Sequence, residues 1–158
     1  MIKSNAVINT MPFDFTLSKF RSLCSAVAQH YPTLTLAEYF QSEKLPSRFA
    51  MMRHDIDRKP ENALSTARIE AESGIRGTYY FRRYGNAFRP GIMREIEGMG
   101  HEVGYHYEVL GKAKGDHERA IEMFEHELSE FRKICDVRTI SMHGNPLSKY
   151  DKCDLEGF

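Results

Sequence analysis

Residues 49–60, FAMMRHDIDRKP, join a short apolar run to a group of charged residues and then to a proline. The apolar run predicts a β-strand over 49–53, and Pro60 is tolerated in the first turn of a helix. A strand followed by a helix begins a β-α-β unit, and the same alternation continues to residue 142. The chain is therefore predicted to be an α/β protein with a parallel sheet.

Outward from this segment, three more strands are predicted over 78–81, 102–106 and 138–142. Apolar residues at helical spacing predict helices between them, from Pro60 to Gly74, from Pro90 to Gly98 or Gly100, and from Asp116 to about Lys133. Residues 1–45 are expected to be helical, with one helix over 16–30 and a second begun by a capping box of Thr35 and Glu38. No linker interrupts the pattern, so residues 1–158 are expected to form one domain.

The composition excludes several classes of function. Lysine plus arginine and aspartate plus glutamate both number 22, which argues against a nucleic-acid partner. The sequence has no apolar run long enough for a membrane helix or a signal peptide, so we expect a soluble, cytoplasmic protein without a membrane partner. Three cysteines without C-x-x-C spacing argue against a disulfide framework and a thiolate zinc site.

Side chains that can bind a metal or accept a proton cluster where the predicted strands end. Asp55 and Asp57 follow the first strand, His106 ends the third, and His143 follows the fourth. The carboxyl ends of parallel strands share one edge of the sheet, so these residues are expected to converge.

Asp55 and Asp57 lie two residues apart, which places both carboxylates on one side of an extended backbone. A divalent metal would relieve their repulsion, and imidazoles from His106 and His143 would complete a ligand set suited to zinc or a similar metal. The alternative is that the two aspartates cap the helix beginning near Pro60.

The remaining polar candidates have simpler interpretations. His54 alternates to the opposite face from Asp55 and is expected to pack against neighbouring residues. His101 precedes its strand, on the opposite rim, and is expected to make a structural hydrogen bond. Arg82 and Arg83 follow the second strand, where they hold either a substrate or nearby glutamates.

Four segments together resemble a known family: RHDID (53–57), TYYFR (78–82), GHEVGYHYE (100–108) and SMHGNPLSKYD (141–151). Their order and placement are similar to those of polysaccharide deacetylases with a NodB-homology domain, in a divergent branch carrying R-H-D-x-D. The resemblance covers about residues 48–151. It implies a distorted (β/α) barrel and metal-dependent removal of acetyl groups from N-acetylated sugars.

The resemblance also implies roles for individual residues. Asp55 matches the general base, Asp57 the metal-binding aspartate and His106 the first histidine of the family's metal motif. The second histidine of that motif would fall at Leu110, so we expect His143 to replace it as a ligand. Beside these motifs, the residues expected to contact a carbohydrate substrate are Arg82, Glu108 and Asn145.

Four strands make only half of a (β/α) barrel, so an incomplete barrel is expected. Either the sequence is a fragment of a longer barrel, or a second copy of the chain covers the open edge of the sheet and gives a homo-oligomer. Missing family motifs leave a second hypothesis open, in which the domain binds carbohydrate or a protein partner without catalysis.

Overall fold

The sheet of this protein is parallel and its strands follow chain order. The computed structural model describes residues 14–144 and Tyr150. Strands β1 (Met52–Ile56), β2 (Gly77–Arg82), β3 (Glu102–Tyr107) and β4 (Ile140–Met142) pair in the order β1-β2-β3-β4. This order confirms the predicted α/β class and is compatible with half of a parallel barrel.

Helices precede the sheet and connect its strands. In chain order they are α1 (Leu17–His30), α2 (Leu36–Gln41), α3 (Pro60–Glu72), α4 (Pro90–Gly98), α5 (Val109–Lys112) and α6 (His117–Arg132). Thr16 caps α1 by accepting a hydrogen bond from the Lys19 N–H, and the predicted capping box of Thr35 and Glu38 begins α2. Within the described part of the chain, no helix is long and apolar enough to cross a membrane.

The two faces of the sheet differ in chemistry. On one face, buried residues of the middle strands, including Tyr79, Phe81 and Tyr105, pack with Met93 of α4 and Phe131 of α6 to form the main apolar core. The opposite face carries polar side chains, which are Arg53, Asp55, Thr78, Arg82, Glu102, His106 and Ser141, together with the ring of Tyr80. Burial of apolar surface thus determines which face of the sheet packs against the helices, and the polar side chains occupy the other face.

Side-chain contacts show that the polar face is concave. Neighbouring strands lie about 4.8 Å apart, so β1 and β4 would lie about 14 Å apart in a flat sheet. Arg53 of β1 nevertheless donates a hydrogen bond of 2.6 Å from Nη2 to Ser141 Oγ of β4. Beneath it, the guanidinium lies 5.1 Å from the ring centroid of Tyr80. The sheet is therefore curled, and Arg53 spans its hollow.

A buried carboxylate holds α2 against the amino-terminal end of the sheet. Glu102 accepts hydrogen bonds from the Ala37 N–H at 3.0 Å and from the Thr78 hydroxyl at 2.8 Å, and also from the Thr139 hydroxyl. Three donors compensate for burying the charge of Glu102, which is 9% exposed. This network closes the end of the half-barrel opposite the candidate site.

The strand limits differ in detail from the sequence predictions. β1 begins and ends three residues later than predicted, because the buried Ile56 anchors its end. Asp55 therefore lies within the strand, and only Asp57 follows it. β4 is shorter than predicted, and its residues are exposed or half-buried because it has no strand neighbour beyond β3 among the described residues. The one-turn helix α5 was not predicted.

Gly104 gives a test of the curled sheet. A Cβ there would lie 2.3 Å from Tyr80 Cε1, so Gly104→Ala must displace that ring from the concave face. We expect a loss of about 1–3 kcal/mol in the free energy of unfolding, measured by urea denaturation. Gly98→Ala is the control, since its Cβ meets no atom within 4 Å. Equal stability of the two variants would contradict the packing described.

Candidate metal centre

Three strands bring the candidate ligands to one rim of the sheet. Asp57 directly follows β1, His106 is the penultimate residue of β3, and His143 directly follows β4. The His143 backbone N–H donates a 2.7 Å hydrogen bond to the Tyr107 carbonyl, which fixes where this residue leaves the sheet. The convergence expected from the strand ends is therefore present.

The ligand atoms are closely spaced. Nδ1 of His143 lies 3.3 Å from Oδ1 of Asp57 and 3.2 Å from Nε2 of His106. Nε2 of His106 lies 4.0 Å from the same Asp57 oxygen. Ligands at zinc-like bond lengths around a tetrahedral ion lie about 3.3–3.6 Å apart. The spacing thus fits a small divalent ion, and these three residues could hold one.

The protonation state of His106 suits ligation. Its Nδ1 donates a 3.0 Å hydrogen bond to the Ser141 carbonyl, which leaves the Nε2 lone pair facing the carboxylates. Burial lowers the pKa of His106 below its ordinary value, outweighing the opposing effect of Asp55. The ring is therefore neutral at neutral pH, as a metal ligand must be.

Asp57 provides independent support. Its Oδ1 is buried and makes no hydrogen bond to the described residues, with the Arg82 guanidinium 3.8 Å away, although the whole side chain is 43% exposed. A buried carboxylate oxygen without a donor is costly unless a cation or water compensates it. Asp57 Oδ1 lies near the ring nitrogens of His143 and His106, so an ion held by these three atoms would offset that cost.

Asp55 lies beside the three ligands but is held by another residue. Its Oδ2 is 3.9 Å from Nε2 of His106. Arg53 donates two hydrogen bonds of 2.9 Å to its two carboxylate oxygens, from Nε to Oδ1 and from Nη2 to Oδ2. This bidentate pair fixes the orientation of the Asp55 carboxylate next to the candidate metal position.

The residues expected to contact substrate have different placements. Arg82 pairs with Glu108, and its Nη1 lies 3.8 Å from Oδ1 of Asp57, so both residues border the site. Arg83 instead pairs with Glu130 at 2.7 Å, as the ion-pair interpretation predicted. Asn145 lies outside the described residues.

The other sequence interpretations can also be compared with the structure. The helix-cap alternative for Asp55 and Asp57 is wrong, because the N-cap of α3 is Lys59 and α3 has no side-chain cap. His54 packs against Tyr79, with ring centroids 4.5 Å apart, and donates to buried Glu70. His101 donates to the Ala67 carbonyl and accepts from the Gly77 N–H. Both histidines are therefore structural.

Sequence reasoning missed two residues that shape the site. Arg53 and Ser141 each precede a candidate residue by two positions, Asp55 and His143 respectively. The period of two along a strand put Arg53 on the face of Asp55, and that signal was available in the sequence. The hydrogen bond from Arg53 to Ser141 could not be predicted from the sequence, because it depends on the curl of the sheet.

Comparisons with known proteins do not place this chain in a family. A scan against protein-family models, a search of curated proteins and a search of solved structures each found no match.

The metal centre can be tested by removing one histidine. His143→Ala deletes one of three ligands, so we expect zinc affinity, measured by titration calorimetry, to fall by more than the roughly 10–100-fold typical of removing a group that only orients a ligand. His126→Ala is the matched control, since His126 lies on α6 with a side chain 76% exposed. Unchanged affinity in His143→Ala would show that the imidazole is not a ligand.

Proposed function

We propose that this protein is a metal-dependent hydrolase that removes acetyl groups from N-acetylated sugars of a glycan. The observation that carries the proposal is the convergence of Asp57, His106 and His143, with the carboxylate of Asp55 beside them. One carboxylate and two imidazoles are a ligand set suited to zinc, and three protein ligands leave a position open for water or substrate. The resemblance of the strand-end motifs to polysaccharide deacetylases supports the choice of reaction.

The proposal assigns distinct roles to the residues. When bound, a zinc ion supplies a Lewis acid that lowers the pKa of water and polarises the acetyl carbonyl. Asp57, His106 and His143 hold it. Asp55 serves as the general base that takes a proton from the attacking water, and Arg53 keeps its carboxylate oriented. An ionised carboxylate has about four lone-pair positions, so the pair with Arg53 leaves room for that proton.

Two carboxylates at the rim are open to solvent, where a glycan could reach them. The side chains of Asp55 and Asp57 are 38% and 43% exposed, although His106 behind them is buried. Arg82 and Glu108 border the same rim and offer charged hydrogen-bonding groups suited to sugar hydroxyls. We assign these two residues to substrate binding.

Two observations favour a second candidate function. Both oxygens of Asp55 are already engaged by Arg53, and Leu110 stands where the resemblance implies another histidine. A domain with these features would bind a glycan or a protein partner without turning it over. Acetate release separates the two functions, because only the hydrolase produces acetate from N-acetylated oligosaccharides.

The roles of the two aspartates can be separated by substitution. Asp57→Ala removes a metal ligand, so we expect loss of bound zinc by elemental analysis and of acetate release. Asp55→Asn keeps the size of the side chain but removes the base, so we expect zinc to remain while acetate release falls roughly 10²–10⁴-fold.

Two outcomes would contradict this assignment. Equal loss of zinc in both variants would mean that Asp55 is a ligand rather than a base. A wild-type protein that retains zinc but releases no acetate from any N-acetylated oligosaccharide would favour the non-catalytic binding domain.

A further inference from the structure

The curled sheet has two uncovered edges in the described part of the chain. β1 pairs with β2 on one side only. On its other side, an isolated bridge between Thr33 and Ala50 lies just before the first residue of the strand. Among the residues that the structure describes, β4 pairs with β3 alone. Strand edges with free N–H and C=O groups tend to recruit another strand.

The β1 edge is bordered by a groove. One part, of about 650 Å³, is lined by consecutive residues 53–57, whose side chains alternate between the two faces, so it follows the edge of the strand. A second part, of about 580 Å³, lies between α1 and α3 and shares Asn62 and Thr66 with the first. We call the two together the edge groove.

The α1 wall of the edge groove is apolar and exposed. Leu17 and Leu23 line it and are 52% and 51% exposed. Phe20, on the same helix, contacts His54 on the helix-packed face of β1, with ring centroids 6.1 Å apart. α1 therefore lies on the helix side of the sheet, where it would cover a strand added beyond β1.

The opposite edge of the sheet offers a matching surface. Ser141 faces the concave side, where it contacts Arg53, so its neighbours Ile140 and Met142 face the helix side. Ile140 is 45% exposed and Met142 half-buried. A β4 strand placed against the β1 edge would bring Ile140 beneath α1.

We infer that two copies of this chain associate edge to edge, with β4 of each copy against β1 of the other. The arrangement has two-fold symmetry about an axis along the sheet hollow, and all strands remain parallel. Two curled sheets of four strands then close into eight, the number of a complete parallel barrel. Closure removes both open edges and buries Ile140, Leu17 and Leu23. The inference does not rest on the proposed hydrolase activity.

The dimer can be tested by charge insertion at each partner surface. We expect the wild-type protein to have twice the chain mass by light scattering after size exclusion. Ile140→Asp and Leu23→Asp should each halve that mass. Ile121→Asp is the matched control, because Ile121 is 48% exposed but lies on α6 outside the edge groove. It should leave the dimer intact.

A mixing experiment identifies which edges meet. Ile140→Asp and Leu23→Asp chains are mixed in equal amounts. The Leu23→Asp chain keeps a native β4 and the Ile140→Asp chain keeps a native edge groove, so a heterodimer has one intact junction. Heterodimers should therefore form although neither variant dimerises alone. Circular dichroism verifies folding, and Leu23→Asp alters only a helix surface. A monomeric wild type, a dimer that survives both substitutions, or a mixture that stays monomeric would overturn the inference.

Measuring the zinc content distinguishes failure of the proposed dimer from failure of the proposed metal centre. The candidate ligands all belong to one chain, so monomeric variants should retain zinc if the metal centre is correct. A dimer without zinc would overturn the metal centre but not the association. A zinc-bound monomeric wild type would overturn the association but not the metal centre.

Discussion

The guanidinium of Arg53 is the contact that links the two outer strands across the concave face and orients the Asp55 carboxylate. It pairs with Asp55, lies over Tyr80 and reaches Ser141 on the far strand. A planar group with five donors can bind a carboxylate with two of them and still donate elsewhere, which lysine cannot do in the same geometry. The same guanidinium therefore spans the hollow of the curled sheet and orients the Asp55 carboxylate.

The division of the sheet into an apolar and a polar face explains how a candidate metal centre can lie next to a packed core. Apolar residues of β2 and β3 pack against the helices and hold the strands in register. The alternate residues of the same strands then have no packing task, so they can carry imidazole, carboxylate and hydroxyl groups. Position along the strand decides which of these groups reach the rim, and only the last residues do.

Sequence patterns predicted the order and type of most elements because the apolar spacing is strong and caps such as Thr35–Glu38 are local. They misplaced β1, because the apolar run stops at Arg53 whereas the strand continues through the exposed Asp55 to Ile56. Sequence patterns also predicted that Asp57, His106 and His143 converge, because the carboxyl ends of parallel strands meet at one edge of the sheet. They could not give the link from Arg53 to Ser141, since contacts across 88 residues depend on tertiary curvature.

β4 has only three residues, yet it carries the backbone that orients His106 and leads directly into His143. Within a single chain, a short strand paired on one side detaches from its sheet at a lower free-energy cost than the core strands do. Ion binding at this rim must then include the cost of docking the strand, so the apparent dissociation constant is the intrinsic one divided by the docked fraction. The affinity of this rim for an ion would thus depend on the local stability of β4 as well as on the ligands themselves.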